Sequence, residues 1–248
     1  MSISIQTGQT PLVIIPAKNE ETTVAQVVRD VLHSLHCHVV VIDDASNDLT
    51  AREAAKGGAH VLPLAVPLGA WGALQAGFRY AARHNYPVVV TMDADGQHTP
   101  DEIKTLLDTM EQEKSDVVIG SFTERGSWQR QLAWRFFKKL TDLDFDDLTS
   151  GFRAYNKEAV ELLASPDATL LDYQDVGVLL LLQKKGFVIT EIKTIMLPRT
   201  TGHSRVFSTW FAVFKYLLHS IILSFCRRNN GFPDKRLSPL FSFFNRET

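Results

Sequence analysis

The sequence predicts an α/β fold in which a mostly parallel, doubly wound sheet is flanked by helices, with an amphipathic helix at the C-terminal end. Short, uninterrupted apolar runs recur through the first 120 residues, as strands buried on both faces of a parallel sheet require. Segments with apolar residues at helical spacing separate these runs, which is the alternation of a βαβ sheet. Acidic clusters follow several of the runs, at the carboxyl ends of strands where open parallel sheets bind their ligands.

Leu12, Val13, Ile14 and Ile15, bounded by Pro11 and Pro16, form the first strand. The helix after it is read as capped by Asn19, with Glu20 and Glu21 in its first turn and Val24, Val27, Val28, Val31, Leu32 and Leu35 on its apolar face. His38 to Ile42 is the second strand and ends at Asp43-Asp44. A helix from about Leu49 stops near Gly57-Gly58, a brief strand spans His60 to Leu62, and a helix runs from about Ala70 to Arg83. Val88 to Met92 is a strand that delivers Asp93. Thr99-Pro100-Asp101-Glu102 then supplies a cap, a first-position proline and acidic residues for a helix, and Asp116 to Ile119 is the strand that follows. Beyond residue 120 the alternation loosens. Trp128 to Leu140 reads as helix, Thr149 to Tyr155 as extended, Asp172 to Lys185 as helix stopped by Gly186, and Phe187 to Ile195 as strand.

A chain of 248 residues, 45% hydrophobic, can bury a substantial core, and two parts are expected: one globular domain over residues 1–205 and a helix with its tail over 206–248. The net charge of −2 provides no field that would draw nucleic acid. Cys37 and Cys226 lie too far apart to indicate a disulfide framework or a zinc site, so a reducing cytoplasm is expected. Met1 to Thr10 is polar and lacks the layout of a secretory signal. The apolar stretch Val206 to Cys226 is interrupted by Lys215 and His219 and closed by Arg227-Arg228, against the roughly 20 unbroken apolar residues of a membrane span. Its Trp210, Phe211, Phe214, Leu217, Leu218, Ile221 and Ile222 recur at helical spacing beside basic residues, as in a helix lying on the inner face of the membrane. Packing on the domain or on a second copy, as a homo-oligomer, is the alternative.

Asp93-Ala94-Asp95-Gly96-Gln97-His98 carries the most chemistry. Two carboxylates one residue apart, on a chain leaving a strand through a glycine, can hold a hard divalent cation while leaving positions for diphosphate oxygens. The bland alternative is a polar turn. Asp43-Asp44-Ala45-Ser46-Asn47-Asp48 occupies the equivalent end of another strand, where a carboxylate can accept from a base or a ribose, and where Ser46, Asn47 or Asp48 can cap the next helix. Gly69-Ala70-Trp71-Gly72 lacks both the lysine of a phosphate loop and the third glycine of a dinucleotide fingerprint, which argues against an NTPase or an NAD enzyme.

Taken together, these residues resemble the family 2 inverting glycosyltransferases of GT-A (Rossmann-like) fold, in particular the dolichol- and polyprenyl-phosphate sugar synthase-like group. Pro16-Ala17-Lys18-Asn19-Glu20 resembles that group's opening Pro-x-x-Asn-Glu, and Asp43 to Thr50 its Asp-Asp-x-Ser-x-Asp-x-Thr. Asp93 to His98 resembles its metal motif, Thr149 to Tyr155 its Ser-Gly-Phe-Arg segment, and Arg199 to Arg205 its Arg-x-x-Gly-x-Ser-Lys. The chain departs from the pattern at Arg205, which replaces a lysine, and at Phe122, where an arginine is usual after Gly-Ser.

The resemblance implies a nucleotide-sugar donor held by Pro16, Lys18, Glu20, Asp43, Asp44, Asp93 and Ala94, with Mg2+ or Mn2+ on Asp93, Asp95 and Gln97. Arg199 and Arg205 would meet donor diphosphate or acceptor phosphate, while Arg125, Arg130 and Ser204 would serve the acceptor. Asp93, Asp95, Arg199 and Arg205 are thus the expected catalytic set, acting by one in-line displacement at the anomeric carbon. A polyprenyl phosphate acceptor is already anionic, whereas a glycan or glycolipid hydroxyl would need a base, for which Asp147, Asp172 and Asp175 are candidates. Envelope polysaccharide synthesis on such a hydroxyl is the alternative enzyme reading. A non-catalytic nucleotide-sugar-binding or scaffold protein on the same fold is the alternative of another class.

Overall fold

The computed structural model describes residues 10–122, 145–148, 150–169 and 176–197. The expected helices over 128–140 and 206–226, and Arg125, Arg130, Asp172, Asp175, Arg199, Ser204 and Arg205, lie outside the described residues.

One seven-stranded sheet organises these residues, in the order β3-β2-β1-β4-β6-β5-β7. Its strands are β1 (Leu12–Ala17), β2 (His38–Asp43), β3 (His60–Pro63), β4 (Val88–Thr91), β5 (Val117–Ser121), β6 (Arg153–Asn156) and β7 (Ile189–Lys193). The helices are α1 (Val24–Ser34), α2 (Thr50–Gly57), α3 (Gly69–Arg83), α4 (Asp101–Glu113), α5 (Lys157–Ala164), the single turn α6 (Pro166–Thr169), and α7 (Val176–Lys184). All neighbouring strands pair in parallel except β6, which runs antiparallel between β4 and β5.

Alternate residues of the central strands feed two cores, as a sheet covered on both faces requires. Val13, Ile15, Val39, Val41 and Val90 pack with α1 and α4, while Leu12, Ile14, Val40, Ile42 and Val89 pack with α3, α5 and α7. Val24, Val27, Val28 and Val31 are buried as their spacing predicts, whereas Leu32 is 37% exposed at the edge of that face. α3 lies close on β1 because residue 77 is glycine: a Cβ there would fall 2.5 Å from Cγ2 of Ile14. Gly58, at φ 104°, ends α2 in the left-handed conformation that glycine adopts without strain.

Two expected caps are corrected. Asn19 does not cap α1, which begins at Val24; the carbonyl of Glu20 accepts from Thr23 and Val24 N–H instead. Asn19 sits at φ 51°, and its side chain bonds across to the β2 loop. Thr99 likewise serves α4 through its carbonyl, which accepts from Glu102 N–H, while Pro100 precedes the first helical residue. At α2 the cap position falls on Leu49, and Asp48 just ahead of it accepts from the N–H and hydroxyl of Thr50, the first helical residue.

Candidate active site

The order β2-β1-β4 sets three loops side by side at the carboxyl end of the sheet: Lys18–Glu20, Asp44–Asp48 and Asp93–His98. The first two are laced together. Asn19 N–H donates to Ser46 Oγ at 2.9 Å, Asn47 N–H to Asn19 Oδ1 at 2.8 Å, and Glu20 N–H to Thr50 Oγ1 at 2.8 Å. Asn19 and Ala45 both take positive φ, at 51° and 52°, to bring these groups together. Burial acts to raise the Asp48 carboxyl, but donation from the Thr50 hydroxyl and from nearby backbone N–H groups outweighs it and holds the group below its usual range.

Asp43 and Asp44 are both buried, yet they are held differently. Asp43 Oδ1 accepts from Ser46 N–H at 3.2 Å, closing a tight turn. Asp44 reaches across to the start of α3, accepting from Leu68 N–H at 2.6 Å and Gly69 N–H at 3.1 Å, with Lys18 Nζ 3.6 Å away. Its carboxylate therefore fixes the loop between β3 and α3 and caps that helix. Ala65 to Leu68 of that loop are exposed and uncharged.

After β4 the chain turns at Gly96, at φ 74°. Asp95 is buried and accepts Gln97 N–H at 3.1 Å, whereas the Asp93 side chain is 47% exposed. Ala94 points into the core, so any nucleotide contact from this residue comes from its backbone. Gln97 Nε2 donates to Leu197 O at 3.2 Å and Gln97 O accepts from Leu197 N–H at 2.7 Å, with a β-bridge between His98 and Met196 alongside. The Asp93–His98 turn is thus bonded to the chain just after β7, two residues before Arg199 in sequence. Pro16, half-buried at the end of β1, pairs in register with Ile42.

Among the described residues no three His, Cys, Asp or Glu side chains converge as a ready-made metal cluster. A hard divalent cation of the Mg2+ type does not need one, since one or two carboxylates suffice where substrate phosphates and water complete the shell. Asp93 and Asp95 fit that donor set. The absent side-chain bulk at Gly151 adds to the fit: a Cβ there would lie 3.0 Å from Asp93 Oδ1, so this carboxylate has its room only beside glycine.

On the other side of Asp93 the sheet continues through β6, β5 and β7, and two groups hold the chain there: Glu191, which sequence reasoning missed, and Arg153, which it quoted only as part of the Ser-Gly-Phe-Arg segment. Glu191 on β7 accepts from Asp146 N–H at 2.6 Å and Asp147 N–H at 2.7 Å. Arg153 on β6 is completely buried and donates from Nη2 to Leu148 O at 2.9 Å. Asp147, one of the candidate bases, is buried with Oδ2 3.5 Å from Phe122 N. Glu191 was hidden in an alternating Ile-Thr-Glu-Ile-Lys strand, where a glutamate reads as solvent-facing.

Residues 12–163 match the sequence profile described as Glycosyl transferase family 2. The chain is 31% identical to a polyprenol monophosphomannose synthase of Mycolicibacterium smegmatis over 222 residues, covering 82% of this chain and 83% of that protein. It is 29% identical to an undecaprenyl-phosphate mannosyltransferase of Micrococcus luteus, over 79% and 86% of the two chains. Among solved structures, the glucosyl-3-phosphoglycerate synthase of Mycobacterium tuberculosis in complex with Mn2+, UDP-glucose and phosphoglyceric acid superposes with a TM-score of 0.67 at 20% identity, covering 89% of this chain and 80% of that one. At that identity the likeness establishes the GT-A-type fold.

Proposed function

Since the chain belongs to glycosyl transferase family 2, we propose that it moves a hexose, with inversion, from a nucleoside-diphosphate sugar to a polyprenyl phosphate in a reaction assisted by Mg2+ or Mn2+. The two relatives above, named for polyprenol and undecaprenyl phosphate, support the acceptor class. The observation that carries the donor half is the pair Asp93 and Asp95 on one tight turn at the end of β4, beside the buried Asp43 and Asp44.

Asp93 and Asp95 would hold the cation, which supplies Lewis-acid support for the departing diphosphate. Gln97, the third residue expected at the cation, has its amide nitrogen donated to Leu197, so its remaining capacity is the carboxamide oxygen. Asp43, Lys18, Glu20 and Pro16 line the nucleotide side, with Asp44 shaping it by fixing the start of α3. Arg199, Ser204 and Arg205 would supply charge and hydrogen bonds to diphosphate or acceptor phosphate, together with Arg125 and Arg130. An anionic acceptor of this kind attacks without a general base, so positioning carries most of the catalysis.

Contact with the membrane surface belongs to the same reading. Leu49, Val66, Leu68, Ile195 and Leu197 are large, exposed and apolar, and all follow the carboxyl ends of strands, on the end of the sheet where the site opens. Among the described residues no helix is long and apolar enough to cross a membrane.

The test is a thermal-shift panel of UDP, GDP and their sugar conjugates with and without Mn2+ or Mg2+, followed by sugar transfer to farnesyl phosphate and to undecaprenyl phosphate in vesicles. A nucleotide at a hundred times its Kd should stabilise the fold by about 2.7 kcal/mol, and Asp95→Ala should abolish the metal-dependent part. Failure of every nucleotide to shift the wild type would overturn the donor site. Transfer to a sugar hydroxyl but to no prenyl phosphate would overturn the acceptor.

A further inference from the structure

Glu191 and Arg153 stand in one cross-strand row. Register places Arg153 beside Thr91 of β4 and Ile119 of β5, and Ile119 beside Glu191 of β7. From either side of Ile119 the two charged groups grip one short segment. Glu191 takes the N–H groups of Asp146 and Asp147, and Arg153 takes the carbonyl of Leu148. Three consecutive residues of irregular chain are thereby held through charge-assisted bonds, which are the stronger kind.

The arrangement is not what stability alone selects. Arg153 Nε and Nη1 are buried with no hydrogen-bond partner among the described residues. Burial raises the Glu191 carboxyl, and the neighbouring Asp146 and Asp147 carboxylates push it further, against the lowering effect of the two N–H bonds. A buried charge left incompletely paired, as Arg153 is, usually weakens a fold relative to an apolar replacement. Their use here is geometric: Leu148 is three residues from Gly151, whose carbonyl accepts from Thr91 Oγ1 at 2.7 Å and whose missing side chain makes room for Asp93. The gripped segment therefore leads toward Gly151 from the β6-β5-β7 side of the sheet, away from Asp43 at the end of β2 and Asp44 just after it. With the nucleotide on the β2 side, an in-line acceptor approaches from the β5-β7 side.

We propose that Glu191 and Arg153 are positioning residues for the acceptor: by clasping Asp146–Leu148 they fix the wall against which the incoming phosphate is presented to the donor. This rests on the polyprenyl-phosphate reading above. The clasp acts on acceptor binding and leaves donor binding to the residues of β1, β2 and β4.

The experiment compares wild type with Glu191→Gln and Glu191→Ala. It reads hydrogen exchange of the peptide spanning residues 145–150, the KM for farnesyl phosphate, the KM for the donor, and donor hydrolysis without acceptor. Because glutamine keeps only one acceptor oxygen and alanine none, amide exchange at Asp146 and Asp147 should quicken about 10-fold or more in the alanine variant, and less in the glutamine variant. The acceptor KM should rise about 10-fold while donor KM and donor hydrolysis stay within about twofold. Faster exchange with an unchanged acceptor KM would reduce the clasp to a structural role and overturn the proposal, as would donor and acceptor KM rising together. A wild type that hydrolyses donor but transfers only to a sugar hydroxyl would sink the phosphate reading separately, and the same KM comparison with that sugar would then decide the clasp.

Discussion

Nε2 of His98 lies 3.6 Å from Oδ2 of Asp93, with the imidazole buried and stacked on Phe152 at a centroid distance of 4.8 Å. Neither ring nitrogen has a hydrogen-bond partner among the described residues, which leaves Nε2 facing the Asp93 carboxylate. Outer groups of this kind orient a ligating carboxylate. His98→Ala is expected to weaken Mn2+ binding about 10-fold. Mn2+ titration followed by electron paramagnetic resonance, with a nucleoside diphosphate present, checks this; an unchanged affinity in a folded variant would remove His98 from the site.

Gly151→Ala tests the same carboxylate from its other side. The added methyl would sit 3.0 Å from Oδ1 and 3.4 Å from Oδ2 of Asp93, so the carboxylate must turn or the β6 chain must back away. Small misplacements near reacting groups are costly, and kcat should fall about 10-fold or more while the protein stays folded. Steady-state kinetics beside a circular dichroism melt separates the two effects.

Asp44→Ala removes the acceptor of two N–H bonds at the head of α3 and the partner of Lys18. Loss of this cap should destabilise the protein by about 0.5–2 kcal/mol, read from urea unfolding. Nucleoside diphosphate affinity should fall as well. A stability loss with unaltered nucleotide affinity would confine Asp44 to capping.

Cys37 is buried between α1 and β2, and burial pushes its thiol up to about 11. Because the folded value lies above the unfolded value of about 8.5, the contribution to stability is complete below that pH and is lost as pH climbs through the folded value. In a Cys226→Ser variant, iodoacetamide at pH 8.5 should leave the native protein essentially unlabelled and modify it rapidly in guanidinium. Fast native labelling would contradict the burial.

Val66→Asp and Ile195→Asp place charges in the exposed apolar positions at the carboxyl end of the sheet. Turnover with undecaprenyl phosphate in anionic vesicles should drop several-fold, while turnover with soluble farnesyl phosphate should hold. Equal losses on both acceptors would place these residues in the chemistry and take them away from the membrane.

The central strands were readable because their composition states their environment. Leu12 to Ile15 and Val39 to Ile42 are buried on both faces, and an unbroken apolar run admits little else. The aspartates at their ends were readable for the same reason, since a buried strand must stop before it can present a charge. Direction was not. Arg153–Asn156 has the same extended character whichever way it runs, and only its pairing with both β4 and β5 shows the reversal. Asn19 was misread because a polar residue ahead of an apolar period looks like a cap, whereas its actual bonds go to residues 27 and 28 positions away. Glu191 and Arg153 act through partners equally remote or set in an irregular turn, which periodicity does not register.

The reversed strand has a consequence for how this enzyme could be remade. β5 finishes and β6 starts at the same end of the sheet, so residues 122 and 152 flank the stretch between them from that one end. In sequence terms that stretch is a cassette entered and left at one end of the sheet, and it meets the donor half where Gly151 adjoins Asp93 and Thr91. Exchanging it between relatives should transplant acceptor preference while the nucleotide preference of the recipient chain survives, provided the incoming cassette keeps Gly151 and a segment that Glu191 can clasp.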